Sequence, residues 1–143
     1  MTNIMNSFGF LSFKLAEALE ENLEKYISEK FQMKSREVGI MMAVKEKKLS
    51  QIQIGQILKL DKNSVRFFID SLEERKYVYR EKNQENRREN LICLTEQGEN
   101  LAEELLKTLA ISENEVLNVL SLEEKEQLKG ILTKVYENRA QEK

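Results

Sequence analysis

The chain contains 143 residues with a formal net charge of −2, no histidine, no proline and one cysteine. A chain of this length predicts a single domain with its own core, and one cysteine excludes an internal disulfide scaffold. No stretch has the apolar length that a membrane span needs, and the N-terminus lacks the pattern of a signal peptide, so we expect a cytoplasmic protein without membrane contact.

The N-terminal stretch is predicted to form one long helix from Asn3 to Lys30, because apolar residues recur at every third or fourth position. At 1.5 Å per residue such a helix is about 40 Å long, which exceeds what so small a domain needs for its own core. We therefore expect it to pack partly against a second subunit. The alternative is that it only covers the core of its own subunit.

A second helix is predicted to follow, with Ser35 as its N-cap and Val44 at its end. Its adjacent methionines, Met41 and Met42, could line a ligand site, but core packing is the simpler interpretation. The lysine-rich segment 45–48 that follows is typical of a solvated turn.

The next segment, residues 50–73, is predicted to form two short helices separated by a turn at Lys59–Asp61. Ser50 and Asp61 are typical N-caps, and Gln53 lies three residues after Ser50, which completes a capping box. Two capped helices with so short a turn form a helix-turn-helix, whose second helix can enter a DNA major groove.

The second of these helices is predicted to have two different faces. At about 100° per residue, the apolar side chains gather on one side and the polar ones point away, accompanied by a single phenylalanine. We therefore expect one face to join the core and the other to be presented to a partner. The apolar face contains Val65, Phe68, Ile69 and Leu72, and the presented face contains Asn63, Arg66, Phe67 and Asp70.

A β-hairpin is predicted after the helix-turn-helix. Tyr77–Tyr79 has the aromatic and branched side chains that strands favour, and an apolar run at 91–94 forms the returning strand. The polar loop 82–89 between them contains Arg87 and Arg88. Helix, helix and hairpin in this order predict a winged helix, with the two arginines at the tip of its wing.

Two further helices are predicted after the hairpin. Thr95 is a typical N-cap for the first, and Ser121 with Glu124 forms a capping box for the second. The absence of proline lets both helices run long. The expected fold class is therefore mainly α (α+β), a winged helix-turn-helix with long N- and C-terminal helices.

The sequence offers little for catalysis. Histidine, the commonest general base and a common metal ligand, is absent. Cys93 lies in an apolar strand, where we expect it to act as a small hydrophobic residue. Adjacent acidic residues on a helix diverge and cannot converge on one atom. We therefore predict no enzyme activity, no cofactor and no metal site.

Three segments together resemble the MarR family of bacterial transcriptional regulators: LEERKYVYR at 72–80, QENRREN at 84–90 and ICLTEQGENL at 92–101. The resemblance implies DNA binding by a dimer. It also implies a small aromatic effector bound between the dimer helices and the winged domain, although nothing in the sequence identifies one. The first helix contains no cysteine, which argues against the peroxide-sensing branch of the family.

The resemblance also implies a single domain, 1–143, whose segments have different roles. Residues 1–34 and 95–143 would supply the dimerisation helices. Residues 35–94 would form the winged helix-turn-helix, with the helix-turn-helix at about 50–73 and the wing at about 77–94.

Three residues depart from the family pattern. Lys76 stands where a glycine usually leaves the helix in a left-handed conformation, which should cost about 1 kcal/mol if that conformation is kept. Asn86 replaces the usual wing aspartate, so its clasp onto a neighbouring arginine would be neutral and not charge-assisted. Phe67 replaces the usual arginine. These departures leave an alternative open: a winged-helix interaction partner that sequesters other regulators and binds DNA weakly.

The function that the sequence favours is a homodimeric, sequence-specific DNA-binding regulator, most simply a repressor, on an imperfect palindrome in double-stranded DNA. Charge is distributed accordingly, with a net +2 in residues 59–90 and −5 in residues 91–143. Phosphate affinity should therefore be modest and sensitive to salt. The candidate DNA contacts are Ser50, Gln51, Lys62, Asn63, Ser64, Arg66, Phe67, Arg87 and Arg88.

Overall fold

The computed structural model describes residues 3–141. Six helices and a small three-stranded sheet make up this part of the chain, which confirms the predicted fold class. The sheet is antiparallel with the strand order β1-β3-β2. A 3-10 turn at Ile4–Asn6 is followed by α1 (Phe8–Lys30), α2 (Ser35–Lys45), β1 (Leu49–Ser50), α3 (Gln51–Leu58), α4 (Lys62–Glu74), β2 (Val78–Lys82), β3 (Asn90–Leu94), α5 (Glu96–Val116) and α6 (Leu122–Gln141).

Helix α1 begins at Phe8 and not at Asn3 as predicted. The Ser7 hydroxyl accepts a hydrogen bond from Phe10 N at 3.1 Å, which makes Ser7 the N-cap. The apolar periodicity continues upstream of this cap, and periodicity alone therefore set the start too early. The end of the helix at Lys30 agrees with the prediction.

The predicted cap of α2 is wrong by one residue. The Glu37 carboxylate accepts a hydrogen bond from Lys34 N at 3.0 Å, so Lys34 is the N-cap and Ser35 is the first helical residue. Here the carboxylate at the third helical position satisfies the amide group of the N-cap itself, which is the carboxylate half of a capping box. The Ser35 hydroxyl donates instead to Glu20 on α1, at 3.2 Å.

The core lies where α2, α3, α4 and the sheet meet the ends of α1 and α5. Burying each large aliphatic side chain contributes about 1.5–3 kcal/mol. Met41 is fully buried and Met42 packs against the same cluster, which favours core packing over a ligand wall for this pair. The fully buried side chains of this cluster include Ile40, Met41, Ile54, Ile69, Leu72, Ile92 and Leu105.

The lysine-rich segment 45–48 is not simply a solvated turn. The Lys45 ammonium lies 2.8 Å from Glu103 on α5, and the Lys48 ammonium lies 2.9 Å from Glu81 on β2. These two lysines connect the end of α2 to α5 and the wing. Both partners are distant in sequence, so the segment alone gave no sign of the pairing.

The terminal helices present apolar side chains to solvent. Helix α1 packs along α5, where the Asn22 side-chain amide donates to Ser112 O at 2.9 Å. Among the described residues of α6, none is buried. The exposed large apolar side chains of the two terminal helices include Phe8, Leu11, Phe13, Ile131, Leu132, Val135 and Tyr136.

Candidate nucleic-acid interface

Helices α3 and α4 each begin at the N-cap that the sequence predicted. The Ser50 hydroxyl accepts from Gln53 N at 3.1 Å, and the Gln53 side chain accepts from Ser50 N at 2.9 Å, which confirms the capping box. The Asp61 carboxylate accepts from Ser64 N at 3.1 Å and from the Ser64 hydroxyl at 2.6 Å. The hydrogen bond from the Ser64 hydroxyl is the main reason why the pKa of Asp61 lies below its usual value. Lys59 turns the chain with a left-handed backbone, φ 56°.

Helix α4 divides into the two faces that the sequence predicted. Val65, Ile69 and Leu72 are buried in the core, and Phe68 is half-buried against it. Asn63, Arg66, Phe67 and Asp70 are all exposed. Because one face is fixed by the core, the opposite face is presented in a defined orientation.

Phe67 remains 61% exposed, although two neighbours touch its ring. The Phe68 ring meets it edge-on with the centroids 5.4 Å apart, and the Lys34 ammonium lies 5.8 Å from its centroid. Lys34 therefore lies beside the presented face, as a cation that the sequence analysis did not include. It precedes α4 by many residues, and no local pattern links the two.

Three of the predicted DNA contacts have other partners in the structure. Ser50 is only 2% exposed and its hydroxyl is used by the cap, so we remove it from the candidate set. The Ser64 hydroxyl donates to Asp61, and the half-buried Gln51 accepts from Arg80 Nε at 3.3 Å. Lys62 is exposed and, with neighbouring apolar side chains, lines a groove of about 300 Å³ between α3 and α4.

Arg80 on β2 connects the wing to α4, and the sequence analysis missed it. Its guanidinium lies 2.7 Å from Asp70 and 2.6 Å from Glu73, both on the outer side of α4. With the contact to Gln51, the same side chain bridges α3, α4 and the sheet. Its single positive charge offsets one of the two carboxylate charges beside the presented face. The hairpin determines which residue reaches α4, and this cannot be deduced from the spacing in sequence.

The wing tip carries Arg87 and Arg88, both exposed as predicted. The Asn86 side chain does not clasp an arginine side chain: its oxygen accepts from Arg88 N, in the main chain, at 3.2 Å. Asn86 O accepts from Glu89 N at 3.0 Å, so Asn86 shapes the turn itself. Asn86 therefore binds neither arginine side chain.

The end of α4, the wing and the start of α5 meet at Lys76, Thr95 and Gly98. Lys76 adopts φ 67°, the predicted left-handed conformation, and Tyr77 N donates to Leu72 O at 2.9 Å to close the helix. Thr95 caps α5 by accepting from Gly98 N at 2.9 Å, and its hydroxyl donates to Lys76 O at 2.7 Å. A Cβ atom on Gly98 would lie 2.0 Å from Tyr77 O, so only glycine fits this close approach.

The described residues offer no other chemistry of note. In residues 3–141 no group of three or more Cys, Asp or Glu side chains could hold a metal ion. None of the helices described is both long and apolar enough to cross a membrane. Cys93 is buried, and this burial raises the pKa of its thiol.

Comparison with known proteins agrees with this geometry. A sequence model of the transcriptional regulators SarA/Rot matches residues 22–105, more than half of the chain. Three solved structures each share 19% sequence identity and cover 94% of this chain. A MarR-family transcriptional regulator from Rhodococcus sp. has a TM-score of 0.86 over 96% of its own chain.

The other two were solved with ligands. MarR from E. coli, as a cysteine-to-serine mutant complexed with operator DNA, has a TM-score of 0.76 over 99% of its chain. CouR from Rhodococcus jostii, bound to p-coumaroyl-CoA, has a TM-score of 0.80 over 95% of its chain. At such identity the likeness establishes the fold, while the sequence match establishes the family. The chain is thus a winged-helix transcriptional regulator that belongs to the SarA/Rot family and has the fold of the MarR regulators.

Proposed function

We propose that the chain is a homodimeric, sequence-specific DNA-binding regulator that acts as a repressor. The outward face of α4 carries this proposal, since Asn63, Arg66 and Phe67 are exposed on a helix whose opposite face is fixed in the core. In a major groove these side chains would suit adenine, guanine and the thymine methyl group, respectively.

Cations next to this face support phosphate contact. Lys62 is exposed in the first turn of α4, where its ammonium can reach a phosphate. Lys34 lies beside the Phe67 ring, and the wing extends Arg87 and Arg88 towards solvent. We infer that the two wing arginines bind the adjacent minor groove or its phosphates.

The terminal helices support a homodimer. Phe8 is 93% exposed, and Ile131, Leu132 and Val135 on α6 are also exposed, a surface that a single subunit leaves in water. We propose that residues 1–34 and 95–143 bury it against a second copy. Val135→Asp should then shift the protein to monomers in sedimentation without unfolding it, because Val135 lies outside the core. Wild-type protein that is monomeric at micromolar concentration would contradict the dimer.

A twofold dimer would place its two α4 helices in successive major grooves, about 34 Å apart, on an imperfect palindrome. The decisive experiment is an anisotropy titration of the pure protein against its own upstream DNA at several salt concentrations. A regulator should bind specifically in the nanomolar range with a steep salt slope. Weak association that ignores sequence would favour the alternative, a winged-helix partner that sequesters other regulators.

The wing is tested in the same assay with Arg87→Ala and Arg88→Ala combined. Affinity for all DNA sequences should fall, and the salt slope should flatten by about one unit for each phosphate that the variant no longer binds. Lys25→Ala with Lys107→Ala is the control for net charge, since it removes two exposed cations from α1 and α5. Sedimentation should show that this control has the same oligomeric state as the wild type. Equal effects of both pairs would mean that net charge, and not the wing, is responsible.

Repression would follow if the bound dimer covers the DNA that the transcription machinery needs, in the cytoplasm where that DNA lies. We propose that a small aromatic effector would relieve repression by binding between the dimer helices and the winged domain. A separate groove of about 370 Å³ lies among α1, α5 and α6 alone, and Leu132 of the proposed dimer surface is one of its lining residues. A reporter gene placed behind the upstream DNA that the protein binds should be silenced by the wild-type protein. Activation of that reporter would reverse the proposed sign.

A further inference from the structure

Arg75 lies where the recognition helix meets the end of the first long helix. Its guanidinium donates from Nη2 to Phe31 O at 2.8 Å and from Nη1 to Gln32 O at 3.0 Å. These carbonyl groups belong to the residues that immediately follow α1. Arg75 is itself the C-cap of α4, and its guanidinium also lies 5.2 Å from the Tyr77 ring.

This position is electrostatically favourable for a cation. The C-terminal end of a helix carries a partial negative charge, because its last carbonyl groups have no partner within the helix. The Arg75 guanidinium lies at such an end on both helices, α1 and α4. Its rigid, planar fork binds two carbonyl groups at once, which a lysine ammonium cannot reproduce with the same geometry.

The connector that Arg75 binds, residues 31–34 between α1 and α2, is itself firmly held. Gln32 has a left-handed backbone, φ 51°, and Met33 N donates to Ile27 O at 3.1 Å, which folds the chain back onto α1. On the other side, the Glu37 carboxylate of α2 accepts from Lys34 N of the connector at 3.0 Å and from the Ser71 hydroxyl of α4 at 3.2 Å. Glu37 is 5% exposed, so this contact lies inside the protein. The connector is thus fixed to α1 and to α4.

We propose that Arg75 is a positioning residue that locks the recognition helix to the first helix and thereby sets the half-site spacing that the dimer accepts. The inference rests on the proposed function, in which α1 lies in the dimer interface. If α1 is fixed there, the direction of each α4 follows from its link to α1. The Arg75 guanidinium is bound to the carbonyl groups of Phe31 and Gln32, so in this proposal it acts through the link to α1 and not on DNA.

The test compares operators of different spacing. The operator is first selected from random DNA duplexes with the wild-type protein, and variants with one base pair added or removed between the half-sites are then made. Anisotropy gives the ratio of affinities for the original and the altered spacing. This ratio does not depend on the fraction of active protein, so a modest loss of stability does not affect it.

Arg75→Gln should reduce the ratio of affinities for the original and the altered spacing about fivefold or more. A fivefold change is the lower end of typical coupling between sites. Its affinity for a DNA fragment with one half-site should stay within about twofold of the wild type, since every residue that faces the bases is kept. Lys76→Gln is the matched control, because it removes the same charge from the neighbouring exposed position, and its ratio should not change. Arg75→Lys, which keeps the charge but not the fork, should lie between the wild type and Arg75→Gln.

An unchanged ratio in Arg75→Gln, with DNA binding retained, would overturn this inference alone. If Arg75→Gln does not fold, Arg75→Lys decides, and an unchanged ratio there has the same meaning. Absence of specific binding by the wild-type protein would overturn the proposed function, and the inference with it. A fall in half-site affinity as large as the fall in the ratio would make Arg75 a structural or DNA-contacting residue.

Discussion

Gly98→Ala tests the junction between the wing and α5. A Cβ atom there would lie 2.0 Å from Tyr77 O, whereas ordinary contacts begin at 3.4 Å. The carbonyl group cannot simply move, because Tyr77 O also accepts from Thr95 N at 3.1 Å. We expect a loss of about 3 kcal/mol in the free energy of unfolding, at the upper end of overpacking costs. For a domain of this size that lowers the Tm by about 10 °C.

Two other glycines calibrate this expectation. A Cβ atom on Gly55 would lie 3.0 Å from Leu60 O, and one on Gly39 would lie 3.5 Å from Leu58 side-chain carbons, an ordinary contact. Gly55→Ala should therefore lose less than Gly98→Ala, and Gly39→Ala should be neutral or gain up to about 1 kcal/mol from helix propensity. Urea and thermal unfolding, measured at one protein concentration, would give the order of stability among the three variants. Wild-type stability in Gly98→Ala, or an equal loss in Gly39→Ala, would refute the argument.

Three further predictions concern the recognition helix. Phe67→Ala should cost less than about 1 kcal/mol of stability, because the ring is largely exposed, yet it should reduce discrimination at one thymine position by about 1 kcal/mol; undiminished discrimination would remove it from the reading face. Arg80→Gln should weaken binding to every DNA sequence by releasing the Asp70 charge, and Asp70→Asn should restore part of that affinity in a double-mutant cycle. The lowered pKa of Asp61 means that its stabilising effect is complete above about pH 4 and is lost as the pH falls through the folded-state value, so Asp61→Asn should flatten the acid side of a Tm profile.

The elements that sequence reasoning predicted well depend on neighbours within a few residues. The caps by Ser50, Asp61 and Thr95 each join a side chain to an amide group three residues later, and such spacing is visible in a sequence. The two faces of α4 follow from helical periodicity in the same way. The wrong cap of α2 shows the limit of this reasoning. The Ser35 hydroxyl has the right chemistry for a cap, but the N-cap lies one residue earlier, where the Glu37 carboxylate accepts from the amide group of Lys34.

The residues that sequence reasoning missed make contacts across the fold. Arg75 binds carbonyl groups 43 and 44 positions away, and Arg80 meets α4 only because the hairpin returns beside it. Lys34 reaches the Phe67 ring from the connector before α2. In the sequence each of them resembles any other surface cation. Ser50 was included although it is buried, because the spacing that identifies a helix cap does not show whether the capping side chain is exposed.

The same contacts change how the charge of the winged domain should be interpreted. Residues 59–90 carry a net +2, but Arg80 is paired with Asp70 and Glu73 and is not available to DNA. Lys34, outside that segment, adds a cation beside the presented face. The net charge counted along a segment therefore does not give the electrostatic field that DNA would meet. Some charged side chains of the segment are paired, and others from outside it lie beside the presented face. Because the winged segment carries a net charge of only +2, we expect much of the affinity of the proposed dimer to come from two linked half-sites. The geometry that we assign to Arg75 would then matter as much as any base contact.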